Sequence, residues 1–112
     1  MIVIEFTNGW KPIEALSLDF ASNVNFESGA RRRSKPSEVS FSKRAGTNSA
    51  SFILATASGK VIAGCQISVF SEDGKKLIQR WKLEDVVLTS YSKTSRTQEL
   101  VTLNFWRIWR LR

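Results

Sequence analysis

Apolar side chains recur at every second position in short runs along this chain, and that spacing limits its folding more than any other feature. Ile2, Ile4 and Phe6 alternate with Val3 and Glu5 before Thr7, Asn8 and Gly9 mark a turn. Leu16, Leu18 and Phe20 alternate with Ser17 and Asp19, and Val39 and Phe41 resume the pattern. Successive side chains of a strand point to opposite faces, so each run describes a strand with one face buried. Val24 and Phe26 either extend the second run or form a short strand of their own. From Glu27 to Ser37 no apolar side chain is larger than alanine, and Gly29, Arg31, Arg32, Arg33 and Pro36 make this a solvated loop. Cys65, Ile67 and Val69 face Leu77, Gln79, Trp81 and Leu83 across Asp73-Gly74, a dipeptide suited to a type I′ hairpin turn. Val86 and Leu88, or Val87, Thr89 and Tyr91, begin another strand, residues 92 to 97 turn, and Leu100 to Leu111 form the last.

One segment has a different period. Ala50, Ile53, Leu54 and Ala57 fall at i, i+3, i+4 and i+7, one face of a helix. Asn48 or Ser49 stands where a side chain caps the free amides at its start, and Gly59 where a left-handed residue closes its end. Seven or more strands and one helix, joined mostly by short polar turns, predict a mainly β (α+β) chain. The expected architecture is a closed or nearly closed antiparallel β-barrel with the helix packed on its side. The expectation for residues 1–112 is a single domain that buries about two-thirds of the surface its unfolded form exposes.

The composition excludes most chemistry. With no histidine there is no Ser-His-Asp or Cys-His nucleophile and no histidine metal site. The single cysteine, Cys65, cannot form an internal disulfide, and its place in an alternating run makes it a small core residue. Carboxylates are scattered apart from Glu72-Asp73 and Glu84-Asp85. Neighbours on a strand point apart, so Glu84 and Asp85 cannot converge as an acid/base pair unless a bulge re-aims one. An enzymatic role is not expected. No apolar stretch approaches the roughly 18 residues of a membrane span, and Met1 to Glu5 lack the basic and long apolar regions of a cleavable signal.

The segment Leu83, Glu84, Asp85, Val86, Val87, Leu88, Thr89, Ser90, Tyr91 and Ser92, followed by a polar turn and by Glu99 through Leu103, Asn104 and Phe105, resembles the carboxy-terminal half of the haemolysin-coregulated protein (Hcp) family. Val39 to Arg44 leading into a helix that ends at Ser58-Gly59-Lys60, and Gly9-Trp10 before Ile13 to Phe20, resemble the same family in the same order. The resemblance implies a β-barrel subunit of a type VI secretion tube that needs no cofactor. It implies rings of six, stacked into a hollow tube, with sheath, spike and effector proteins as partners. It also implies synthesis in the bacterial cytoplasm and export by the secretion system itself, without a cleavable signal.

Two departures from the family bear on the expected interface. The loop containing Arg31, Arg32, Arg33 and Lys35 corresponds to the extended loop that reaches neighbouring subunits in Hcp-like proteins, but it is shorter and basic rather than glycine-rich. The connection Thr7 to Pro12 is also short. After Phe105 the chain runs on as Trp106, Arg107, Ile108, Trp109, Arg110, Leu111 and Arg112, where family members carry mixed polar residues. Strict alternation would turn either Trp106 or Trp109 outward as an interface residue, whereas a bulge would place both on the core side. Trp10 and Trp81 alternate with polar neighbours and are assigned to the core.

The charge is segregated along the chain. Residues 1 to 30 carry a net −3, residues 31 to 44 +5, residues 45 to 92 +1 and residues 93 to 112 +4, which gives the net +7. Complementary patches of this kind suit head-to-tail contacts, although solvated surface gives the same pattern. A basic chain with tryptophans among arginines also has the ingredients of a single-strand nucleic-acid binder, which would need Phe41 or Phe70 exposed for stacking. The shortened loops further admit an Hcp-like protein that no longer forms tubes.

Overall fold

In a computed structural model, residues 1–21 and 37–111 are described. The segment holding Val24, Phe26, Arg31, Arg32, Arg33 and Lys35 lies outside these residues. The strands are β1 (Ile2–Phe6), β2 (Ile13–Phe20), β3 (Ser37–Arg44), β4 (Ile62–Phe70), β5 (Leu77–Lys93), β6 (Gln98–Phe105) and β7 (Arg107–Arg110), and the helix α1 (Ser49–Ser58) lies between β3 and β4. All pairings are antiparallel and run β4-β1-β2-β3-β6-β5, and β5 pairs back with β4. Six strands therefore close a barrel, and β7 adds to β5 as a seventh. The predicted mainly β barrel with one helix is what the chain forms.

Alternation accounts for the core. Ile4, Phe6, Ile13, Ala15, Val39, Phe41, Cys65, Ile67, Val101, Leu103 and Phe105 point inward and are buried. Burial in this apolar interior raises the Cys65 thiol to about 12, with the Glu5 charge adding to the shift. Each register shift marks where the pattern slips. Between Ala15 and Ser17 the pairing of β2 with β3 shifts, so Leu16, predicted to face in with Leu18 and Phe20, is instead 39% exposed. A second shift lies on β5 opposite Val69 and Phe70, where Ile78, on the outer face with Arg80 and Lys82, is the extra residue.

β5 is longer than expected. Seventeen residues of strand would span roughly 55 Å if straight, more than the 38 Å longest dimension of the molecule, so β5 must bend. It absorbs both of the segments read as separate strands from Leu77 and from Val86. The hairpin around Gly74 is present, but only Gly74 (φ 75°) takes the left-handed conformation, whereas a type I′ turn needs Asp73 there too. The connection is a wider loop from Ser71 to Lys76, closed by Ser71 N–H on the Lys76 carbonyl (2.8 Å) and Gly74 N–H on the Ser71 carbonyl (2.8 Å).

The helix corrects two expectations. Its buried residue is Phe52, whose ring meets those of Trp10 (4.8 Å), Phe6 (6.0 Å) and Phe41 (6.3 Å). The predicted stripe Ala50, Ile53, Leu54 and Ala57 faces away from the barrel. One phenylalanine filling an aromatic socket, a gain of about 1.5–3 kcal/mol, fixes the rotation of this ten-residue helix against its apolar period. Asn48 makes no capping hydrogen bond from its side chain. The Ser49 hydroxyl accepts instead from Gly46 N–H (3.2 Å), in the turn before the helix, and does not cap a helix amide. At the other end Gly59 adopts φ 63° and donates its N–H to the Ala55 carbonyl.

Candidate assembly surface

The segments that carry the family pattern form one kinked hairpin. β6 pairs with β5 from Lys93↔Glu99 to Val87↔Asn104, and β7 continues the same register from Glu84↔Arg107 to Trp81↔Arg110. On β5 the inward positions change from Leu83 to Val86 and Leu88, and on the partner from Phe105 to Ile108. Both strands thus switch faces at one place. The residues responsible are Asp85, at φ 54°, and Trp106, whose N–H donates to the Glu84 carbonyl at 3.1 Å. A positive φ is uncommon for a side-chain-bearing residue, and aspartate tolerates it better than most.

The kink sets out a polar array on the outer face. Glu84 lies 3.9 Å from Lys82 and 3.7 Å from Arg107, and Lys82 sits 5.8 Å from the Trp109 ring centre. Arg80 donates to the Ser68 hydroxyl at 3.0 Å, and Leu111 N–H reaches the Arg80 carbonyl at 2.8 Å. Neither tryptophan joins the core. Trp106 and Trp109 are half-buried, so the reading in which a bulge puts both rings on the core side is corrected, and Trp109 lies on the outer face beside Lys82. Trp10 and Trp81 are partly buried against the core.

The outward face of α1 is apolar. Ile53 is 49%, Leu54 70% and the adjacent Val61 57% exposed. Leu54 and Val61 border a cleft of about 610 Å³ between the helix, the β1–β2 connection and the start of β4, lined also by Trp10, Ala55 and Ile62.

A buried polar cluster holds that helix in place. The Lys43 ammonium is 2.5 Å from a Glu99 carboxylate oxygen, and both side chains are almost fully buried. Ser49 donates to the same carboxylate (2.8 Å), Tyr91 donates its hydroxyl to it, and Lys43 also reaches the Arg44 carbonyl (3.0 Å) and lies 5.3 Å from the Phe52 ring centre. Burial works to raise the Glu99 carboxyl, but hydrogen bonds from Lys43, Tyr91 and Ser49 and the Lys43 charge outweigh it and hold it below the usual carboxylate range. Burial, reinforced by the bond to Glu99, pushes the Tyr91 hydroxyl up. Sequence reasoning missed Lys43 and Glu99, although a signal existed: Lys43 continues the inward phase of Val39 and Phe41, and Glu99 that of Val101 and Leu103.

Of the remaining residues in the family pattern, Leu83, Val86, Leu103 and Phe105 are core, Asn104 is half-buried between Glu38 and Val87, and Ser90 and Ser92 are exposed. Phe41 lies at the barrel centre, whereas Phe70, the other aromatic that base stacking could use, is half-buried. No helix among the described residues is long and apolar enough to cross a membrane.

A closed barrel whose distinctive features are outward strips and a clamped helix defines a structural subunit that works through its surfaces. The sequence profile described as "Type VI secretion system effector, Hcp" matches residues 5–110, and the chain belongs to that family. It is a tube subunit of a type VI secretion system, not an enzyme. A comparison with curated protein sequences found no match. Among solved structures, Hcp2 from Salmonella typhimurium is 16% identical over 93% of this chain and 80% of its own, with a TM-score of 0.69. A type VI secretion system effector from Yersinia pestis is 15% identical over 94% of this chain and 84% of its own (TM-score 0.65). A chain of the sheath-tube complex of an extracellular contractile injection system, PVC, is 16% identical over 96% of this chain and 85% of its own (TM-score 0.63). These likenesses are of fold.

Proposed function

We propose that residues 1–112 act as one tube-protein domain that closes into six-membered rings, and that the rings stack into a hollow tube inside a contractile sheath. Effectors and a spike protein are its further partners. The observation that carries this reading is the family match along residues 5–110 of a closed barrel. The outward apolar strip of Ile53, Leu54 and Val61 supports it, because a chain that worked alone would gain nothing from exposing these side chains together. Similarity to a chain of a sheath-tube complex supports the sheath as partner. The basic residues Arg31, Arg32, Arg33 and Lys35 and the tryptophans Trp106 and Trp109 are proposed interface residues on the strength of their sequence positions. The protein is made in the bacterial cytoplasm and leaves by the secretion system itself. Nucleic acid is not a favoured partner, since the family match accounts for the chain without it.

Light scattering after size exclusion, with negative-stain images of the main peak, tests the reading. A particle of about six subunits with a central hole is expected. A monomer at both low and high salt would remove ring formation as a property of the chain.

A further inference from the structure

The outward side chains of the barrel divide by charge in a way the sequence order hides. On β2 and β3 they include Glu14, Asp19 and Glu38, opposed only by Arg44 at the far end. On β5 and β7 they include Arg80, Lys82 and Arg107, opposed by Glu84 and by the half-buried Asp85 at the kink, with Trp109 beside them. Between the two faces β6 on one side presents only uncharged outward residues (Gln98, Leu100, Thr102, Asn104) and β4 on the other presents Gln66, while β1, beside β2, adds the exposed Glu5 to the acidic side. In the strand order β4-β1-β2-β3-β6-β5 the acidic and basic faces stand two to three strands apart. Around a six-stranded barrel that separation is roughly 120–180°, the range between a six-membered ring contact and a straight stack.

From this placement we infer that the acidic β2–β3 face of one subunit receives the basic, Trp109-bearing β5–β7 face of the next copy, head to tail. A two-fold contact of either face with its own copy would set like charges against each other, which costs affinity, whereas the heterologous contact pairs opposite charges at every junction. Trp109, half-buried within the subunit, supplies the flat apolar anchor that a charged rim surrounds in a typical interface. The inference rests on the tube reading and specifies which surfaces of this chain make its self-contact.

Charge reversal tests it. One variant carries Glu14→Lys, Asp19→Lys and Glu38→Lys, and a second carries Lys82→Glu and Arg107→Glu; native mass is read by light scattering at low salt and thermal melts verify folding. Each variant alone is expected to lose self-association by about a hundredfold, because both of its faces then carry one sign. An equimolar mixture is expected to regain oligomers in which the two variants alternate, a pattern that closes only in even-membered rings. If either reversal does not fold, the neutral set Glu14→Gln, Asp19→Asn and Glu38→Gln replaces it and should weaken assembly by about tenfold and flatten its salt dependence. Reversed variants that each retain the mass of the unsubstituted protein, or a mixture that stays monomeric, would overturn the inference while leaving the tube reading intact. Failure of the unsubstituted protein to assemble at any salt concentration would overturn both.

Discussion

Glu99 receives three side-chain donors in a space that almost excludes water, and it is the residue whose loss the barrel should feel most sharply. Removing one partner of a buried ion pair strands the other, so Lys43→Met or Glu99→Gln is expected to cost about 3–5 kcal/mol in chemical denaturation. Tyr91→Phe removes one bond to a charged group and should cost about 1.5–3 kcal/mol. The pH dependence has a definite sign. The folded carboxyl lies below its unfolded value, so its contribution is fully present above the unfolded pKa of about 4.3 and is lost as pH falls through the folded value. Thermal melts from pH 7 to pH 3 should therefore show an acid-induced loss in the unsubstituted protein that is smaller in Glu99→Gln; equal slopes would mean that other carboxylates govern acid unfolding.

At the level of elements, strands were legible and the helix face was not. Period-2 alternation is enforced by the backbone itself, so Ile4, Phe41, Leu103 and their neighbours could be placed inside from sequence alone. The rotation of α1 depends on a socket formed by Phe6, Trp10 and Phe41, side chains from two segments distant from the helix, which no local period encodes. The same limit hid the assembly strips: outward position could be inferred strand by strand, but neighbour relations needed the pairing order. Two substitutions separate the faces of the helix. Phe52→Ala should cost about 3–5 kcal/mol, whereas Leu54→Lys should change monomer stability by less than about 0.5 kcal/mol yet reduce oligomer mass in light scattering. If Leu54→Lys leaves the mass unchanged, the outward helix face is not a contact.

For the molecule as a whole, closure makes access to the interior an all-or-none matter. Cys65 is 1% exposed and its thiol is pushed up to about 12, so both geometry and ionisation oppose its reaction. Labelling by an aromatic disulfide reagent should then proceed only through opening of the barrel, at a rate that follows global stability as denaturant is added. Rapid labelling of the native protein would mean that strands part locally. The barrel was predictable as a class because all apolar runs but the one of the helix pointed to strand. Its closure between β4 and β5, and the single strand running from Leu77 to Lys93, were not, because bends within a strand arise from pairing rather than composition.

The paired kink at Asp85 and Trp106 has a consequence for how such a chain can vary by descent. Without these two residues, Leu83, Glu84 and Val86 would alternate regularly, as would Phe105, Arg107 and Ile108, and the pairing between the strands would be unchanged. Each strand therefore contains one residue more than a plain ladder, and the surpluses match. A lone deletion at either site would offset half of the hairpin and turn its apolar residues to water, and a double deletion would still leave β4 one residue too long, because β4 pairs with β5 across the kink (Ile62↔Val86, Gly64↔Glu84) and itself changes faces between Ile62 and Cys65. Length changes at this point are thus expected to be matched across all three paired strands, β4, β5 and β6–β7, and homologous chains should not differ here by one residue in a single strand.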